Sequence, residues 1–261
     1  MRDERFHRKN PAGPDQIGPK ASSTAERALI RQLRQRALDG VKFQSKSGLR
    51  LGIGDDCALL SARPGEELAI TTDLSISGRH FRLDWHPPES IGHRALARGL
   101  SDLAAMGARP VAAFLSLGLP RELAQHAGKP ASGTTSNTWM SRFLNGLLEL
   151  ARAHETPLAG GDLAESPLAL ADIVLVGGVP RGRALLRSGA TPDDSVYVTG
   201  WLGGAAAGLE QLAAGVASKR KGKNEIEPAA AISRHLFPQP RIAQGLWLQR
   251  RRLPPIRRRR S

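Results

Sequence analysis

Residues 51–60, LGIGDDCALL, set Asp55 and Asp56 side by side between glycines and an apolar run. Like charges repel, and apolar surroundings disfavour both. Either the pair forms an ordinary Gly-Asp-Asp turn or a cation offsets it. Three more acids share this setting: Asp73 closes LAITTD, Asp102 falls in the last turns of a helical pattern, and Asp162 closes LAGGD. A carboxylate near a helix C-terminus is disfavoured by about 0.3–1 kcal/mol, and a nearby cation reverses that sign. Thr71 and Thr72 add hydroxyls beside Asp73, while Gly160 and Gly161 let backbone approach a bulky anion beside Asp162. Oxygen donors of this kind suit Mg²⁺, which takes a few carboxylates and completes its octahedron with substrate phosphates. Asp56, Thr71, Thr72, Asp73, Asp102 and Asp162 together read as a multi-metal phosphate site. Taken singly, each aspartate also reads as a cap or turn former.

Standard nucleotide signatures are missing. No G-x-x-x-x-G-K-[ST] occurs, and GIGDDC departs from G-x-G-x-x-G by placing Cys57 third, which argues against a dinucleotide fold. Cys57, the single cysteine, reads as a small buried filler; it excludes an internal disulfide framework and fits a reducing compartment. No apolar run approaches the ~18 residues of a membrane span, and MRDERFHRKN lacks a secretory apolar stretch. The expected location is the cytoplasm, with no membrane partner. The net charge is +14, but seven arginines lie in residues 250–260, so half of the excess is terminal. With 4% aromatics and no helix-turn-helix or zinc spacing, a nucleic-acid-binding role through the basic tail is a minor alternative, and no nucleic-acid partner is expected.

The elements that must position these residues interleave. Residues 1–22 are polar and aperiodic and are expected to be disordered. STAERALIRQLRQRAL (23–38) predicts a helix capped by Ser23 or Thr24. LAITTDLSI (68–76) predicts a strand. In PESIGHRALARGLSDLAAMGARP (88–110), Leu96, Leu100 and Leu103 recur at i, i+4, i+7, Gly107 suits the position just past a helix end, and Pro110 stops it. Strands are predicted over 111–120, 168–180 and 193–200, helices over 139–155 and 203–214, and a last helix begins near 238. GKPASGTTSNT (128–138) reads as a flexible loop and SKRKGKNEIEP (218–228) as a charged connector. Arg94 and Arg98 read as solvated, Trp139, Trp201 and Trp247 as packing residues, and His86, His93 and His154 show no ligand-like spacing. The class is α/β or α+β.

Five motifs, GIGDDCALL, TTDLSISGRHF, ALARGLSDLAAMGARP, LAGGDLAESPLAL and GRALLRSGATPDDSVYVTG, together resemble the thiamine-monophosphate kinase family in order and spacing. That family sits with the aminoimidazole-ribonucleotide synthetases and selenophosphate synthetases, and the likeness covers roughly residues 25–248. It implies an N-terminal α/β domain with a mixed sheet that joins its twin in a homodimer. It also implies transfer of the γ-phosphoryl group of ATP to thiamine monophosphate, with several Mg²⁺ ions between the anions. On the matching positions it implies Asp56, Thr71, Thr72, Asp73, Asp102 and Asp162 as metal ligands. Gly161, Asp162 and Arg187 would bind ATP, and His80 the thiamine phosphate. Another ATP-dependent synthetase or kinase of the same superfamily is the alternative.

The likeness stops near Leu248. The family's next motif, IDISDG, and its later substrate-holding acid and aromatic have no counterpart; LWLQRRRLPPIRRRRS stands there instead. The expected organisation is an extension (1–22), an ATP- and Mg²⁺-binding domain (23–180), the start of a second α/β domain (181–248) and an aberrant arginine-proline tail (249–261). Such a run is what a truncated or frameshifted reading of a GC-rich gene would give, with low activity and low solubility expected of the chain.

Overall fold

The computed structural model describes residues 33–36, 48–124, 138–215 and 229–251. Residues 1–22, most of the 23–38 helix, the 128–138 loop apart from Thr138, the 218–228 connector and the tail from 252 lie outside the described residues; 33–36 are helical. Six strands follow in chain order: β1 (Leu49–Leu51), β2 (Leu59–Leu60), β3 (Glu66–Ile76), β4 (Arg109–Leu119), β5 (Leu158–Glu165) and β6 (Leu170–Pro180). The described helices are α1 (Pro88–Ala105), α2 (Arg121–Ala124), α3 (Trp139–Ala153), α4 (Gly204–Ala213), α5 (Ala229–Leu236) and α6 (Ile242–Arg251).

A mixed four-stranded sheet in the order β3-β6-β4-β5 carries the domain. β6 runs antiparallel to both β3 and β4, and β5 runs parallel to β4. Paired residues share a face, so the register assigns sides. Thr71 opposes Leu175 and Asp73 opposes Ile173, on the face covered by helices; Ile70 opposes Val176 and Thr72 opposes Val174, on the other.

α1 and α3 cover the first face. The apolar positions Leu96, Leu100 and Leu103 of α1 are buried against Leu175 and Ile173, with Phe143 and Leu147 of α3 completing the core. Burying each such side chain contributes about 1.5–3 kcal/mol. The two helices approach closely because two contact residues lack a side chain: a Cβ at Gly92 would stand 2.0 Å from the Phe143 carbonyl oxygen, and one at Gly146 would stand 1.9 Å from that of Glu89. A two-pronged Arg142–Glu89 pair (2.7 and 2.9 Å) fixes their register. Thr138 caps α3, its hydroxyl accepting from the Ser141 N–H at 3.1 Å.

α1 ends five residues before Pro110 because Gly107 turns the chain at φ +65°. The Gly107 N–H donates to the Ala104 carbonyl and the Ala108 N–H to that of Leu103, closing a Schellman motif. Pro110 then lies in β4 rather than acting as the stop. The second sheet face is only partly covered. Val111, Ala112, Ala159 and Val176 are buried beneath Leu49 and Leu60 of the β1–β2 ribbon, whereas Leu68, Ile70 and Leu74 of β3 are exposed.

After β6 the chain departs from expectation. The strand predicted over 193–200 does not form, and Val196, Tyr197 and Trp201 are about nine-tenths exposed. An extended segment needs neighbours for its N–H and C=O groups, and none of the described strands pairs with it. Trp201 is therefore not a packing residue. Trp247 is half-exposed, with the Arg251 guanidinium over its ring, and only Trp139 packs, stacked on Phe143. α4 and α5 pack on each other, and α6 packs on the end of α1, where Gly245 meets the Ala104 carbonyl.

Candidate functional site

The acids singled out above fall into two groups at opposite edges of the sheet. At the β3 edge, two polar stripes face each other. Arg94, Arg98 and Asp102 recur every four residues along α1, a rise of about 6 Å per step. Thr71, Asp73 and Ser75 recur every two residues along β3, a rise of about 6.6 Å. The near-equal steps keep the stripes in register as they run in opposite directions. Thr71 Oγ1 donates to Asp102 Oδ2 at 2.6 Å. Arg98 binds Asp73 Oδ1 at 2.6 Å and gives two further hydrogen bonds of 3.0 Å to the Leu74 carbonyl and the Ser75 hydroxyl. Arg98 is thus not solvated. Arg94 is not either; it donates to the His235 carbonyl on α5. Asp73 does not end its strand, which continues to Ile76.

Burial raises the pKa of the Asp73 carboxyl, and the nearby Asp102 charge adds to this; the Arg98 guanidinium opposes both without cancelling them. Asp73 and Asp102 lie close enough to repel each other, and a cation bound between them would relieve that repulsion. Just beyond β3, the Ile76 N–H donates to His80 Nδ1 at 3.1 Å, which leaves Nε2 as the protonated nitrogen. Thr72 lies on the opposite face of the strand, paired with Val174, and is exposed.

At the β5 edge, Asp55, Asp56 and Asp162 line a cavity of about 730 Å³. Its wall is apolar, formed by Leu33, Ile53, Phe114, Met140, Leu144 and Leu158, with the carboxylates and Gly160–Gly161 at one side. The Asp56 N–H donates to Asp55 Oδ1 at 3.0 Å, and the Leu163 N–H to Asp162 Oδ1 at 2.8 Å, so Asp55 is fixed within its turn and Asp162, which lies inside β5 rather than at its end, within the strand. Gly161 is required sterically: at φ +151°, a Cβ would stand 1.8 Å from the Leu115 carbonyl oxygen. Cys57 is exposed and lines this cavity rather than filling the core. An apolar wall beside bare backbone and carboxylates suits a ligand with a flat apolar part and a metal-bound anionic part.

Three inter-strand steps separate β3 from β5, about 14 Å. Within one chain, then, Asp73 and Asp102 do not meet Asp56 and Asp162, and among the described residues no three His, Cys, Asp or Glu side chains are grouped to hold a metal. Arg187 stands on a short 3₁₀ turn, Arg187–Gly189, and is exposed. The donor set is all oxygen and fits a hard cation. Reading acids alone misses Arg94 and Arg98; their four-residue spacing from Asp102 was the available signal. No helix among the described residues is long and apolar enough to cross a membrane.

The residues that form the sheet and its first helical layer match a known domain. Residues 54–179 match the family "AIR synthase related protein, N-terminal domain", and this domain, with its mixed sheet and flanking helices, defines the class. Within that class the chain is a relative of the thiamine-monophosphate kinases. It is 40% identical over 211 residues to thiamine-monophosphate kinase of Escherichia coli K12, covering 78% of this chain and 57% of that protein. It superimposes on thiamine-monophosphate kinase from Stenotrophomonas maltophilia K279a with a TM-score of 0.67 at 36% identity, covering 85% of this chain and 64% of the other. A structure described as AaThiL complexed with AMPPCP and TMP gives a TM-score of 0.58 at 30% identity over 90% of this chain and 65% of the other. The chain therefore spans a little over half the length of these curated relatives.

Proposed function

We propose that this chain carries the nucleotide- and metal-binding half of a cytoplasmic kinase that phosphorylates thiamine monophosphate to thiamine diphosphate with ATP. The observation that carries this reading is the pairing of an apolar cavity with carboxylates and close-approach glycines, Asp56, Asp162, Gly160 and Gly161. The apolar wall takes the adenine. Gly161 and Asp162 meet the phosphates, and Arg187, as a planar fork of donors, suits their oxyanions. Asp56, Asp162, Thr71, Thr72, Asp73 and Asp102 would hold Mg²⁺, which when bound neutralises the phosphates and bridges the two anions. His80 Nε2 donates a hydrogen bond to the thiamine phosphate. In-line phosphoryl transfer asks for positioning and charge neutralisation rather than a protein nucleophile, and none is assigned.

Because the two acid groups lie at opposite sheet edges, one chain supplies two half-sites. The exposed Leu68, Ile70 and Leu74 face supports a homodimer in which a second copy brings its β3 edge to the β5 cavity of the first. We place the ATP- and metal-binding domain at 23–180 and the start of a second domain at 181–248. The test is ADP release in a coupled assay with Mg²⁺, ATP and thiamine monophosphate, run beside a light-scattering mass. Release dependent on thiamine monophosphate, from a dimer, supports the reading; an unmoved melting temperature on adding Mg²⁺ and AMPPCP together sinks it.

A further inference from the structure

The β3 edge carries a cation of its own. Arg98 Nη2 donates to Asp73 Oδ1 at 2.6 Å, and Nη1 donates at 3.0 Å to both the Leu74 carbonyl and the Ser75 hydroxyl. We infer that Arg98 competes with a divalent cation for Asp73 and so sets how readily the β3 edge takes metal. This rests on the kinase reading above for the ligand role of Asp73 and Asp102, and adds the residue that governs it.

Charge decides the sign of the effect. The groups that act on the Asp73 carboxylate are Arg98, Asp102 and His80. Asp102 lies one helical turn beyond Arg98 on α1, so the guanidinium stands beside both acids. Two carboxylates match the charge of one divalent ion. With Arg98 in place the same ion carries the edge past neutrality, and the guanidinium on Asp73 repels it directly. Arg94, one turn earlier on the stripe and close enough to feel the Arg98 charge, adds to that repulsion.

Geometry makes Arg98 the partner that can leave. Its side chain is 36% exposed against 18% for Asp73, and Asp73 is held in the β3–β6 ladder opposite Ile173. The guanidinium can swing into water while the carboxylate stays. Against that motion stand the Leu74 carbonyl and the buried Ser75 hydroxyl, which tether the fork to β3. Thr71 behaves differently: a neutral hydroxyl on Asp102 Oδ2 at 2.6 Å orients its acid without opposing a cation. Among the described residues, the second oxygen of each carboxylate accepts no hydrogen bond. A metal reaching the edge therefore meets two oxygens and one opposing charge, and it fills the edge only where its concentration outweighs the tether.

The test is titration of the full chain with Mn²⁺, a hard cation that suits carboxylate and water ligands, read as the loss of the free-ion electron paramagnetic resonance signal. Arg98→Met should bind Mn²⁺ about tenfold more tightly than wild type, since a nearby positive charge is gone. Arg98→Lys keeps that charge and should stay within about threefold of wild type. Ser75→Ala removes one tether and should bind about threefold more tightly; it carries the test should Arg98→Met fail to fold. Adding Asp73→Asn to Arg98→Met should abolish the gain. Tighter binding is a change that damage to the fold does not produce. Equal or weaker binding by both Arg98→Met and Ser75→Ala, a gain as large in Arg98→Lys as in Arg98→Met, or a gain that survives Asp73→Asn overturns the inference. The two readings fail separately. AMPPCP-dependent Mn²⁺ binding that Asp162→Asn abolishes, with no gain in Arg98→Met, removes the competition and leaves the nucleotide half-site. A gain in Arg98→Met, with Mn²⁺ binding unmoved by AMPPCP in every variant, keeps the competition and speaks against the kinase.

Discussion

The two edges of the sheet carry the same residue type under opposite conditions. At the β3 edge, Asp73 is largely buried and Asp102 is tied to Thr71, with Arg98 as a built-in cation. At the β5 edge, Asp55, Asp56 and Asp162 are exposed, and Asp55 and Asp162 each accept from the backbone N–H of the next residue. The first is tied into a network of side chains; the second has, among the described residues, backbone partners alone. Acids in like motifs thus differ in what faces them, which the motif does not carry.

The largest effect expected is steric and lies at the β5 edge. Gly161→Ala forces a Cβ onto the Leu115 carbonyl and should cost about 3 kcal/mol or more, read as the urea midpoint without ligand. A near-wild-type midpoint would mean that the strand relaxes and that the glycine is not held by its backbone.

Arg98→Met comes next. It leaves Asp73 beside Asp102 with its cation removed, and should cost about 1–2 kcal/mol, the lower range for a pair partly open to water. Added Mg²⁺ should restore part of the loss if the edge accepts a metal. An unchanged midpoint would place Arg98 among ordinary surface ion pairs.

The link between the turn before α1 and α5 sharpens the contrast through pH. His86 Nε2 stands 3.1 Å from His235 Nε2, so only one of the two nitrogens carries a proton. Burial, with Arg94 adding to it, lowers His86 to about 4, and His235 is lowered for the same reasons. Unfolded histidine titrates near 6.5, so in this range the unfolded chain binds more protons, and stability falls as pH drops from about 6.5 towards 4. Asp73, raised in the fold, acts in the opposite sense, holding a proton more firmly when folded. Urea midpoints at pH 7 and pH 5 should decline together with pH, and His86→Gln should flatten the decline; a rise at pH 5 would give Asp73 the larger share.

Much of this was legible in the sequence. The period-four leucines of α1, Gly107 beyond its end and the apolar runs of β4 and β6 each carry a local physical requirement, and all appear where the pattern set them. β5 was missed as a strand because LAGGD is short and glycine-rich, a pattern that reads as a turn until β4 lies beside it. Residues 193–200 read as a strand but are not one, since β-propensity is realised only against a neighbour. At the site, residue types were readable and distances were not. Nothing local in Asp73 or Asp162 says that two strands stand between them.

The smallest effect in the absence of ligand is the most informative. Asp162→Asn changes an exposed side chain that accepts only the Leu163 N–H, a bond the amide oxygen keeps, so its midpoint without metal should stay within about 0.5 kcal/mol of wild type. With Mg²⁺ and AMPPCP at 100 times their dissociation constant, wild type should gain about 2.7 kcal/mol by linkage. Asp162→Asn should lose most of that gain, because a neutral amide cannot replace the charge that a hard cation requires. Asp56→Asn should do the same, since it lines the same cavity. Equal stabilisation of both variants and wild type would show that the β5 acids only shape a turn. The contrast between the two edges would then be one of burial alone.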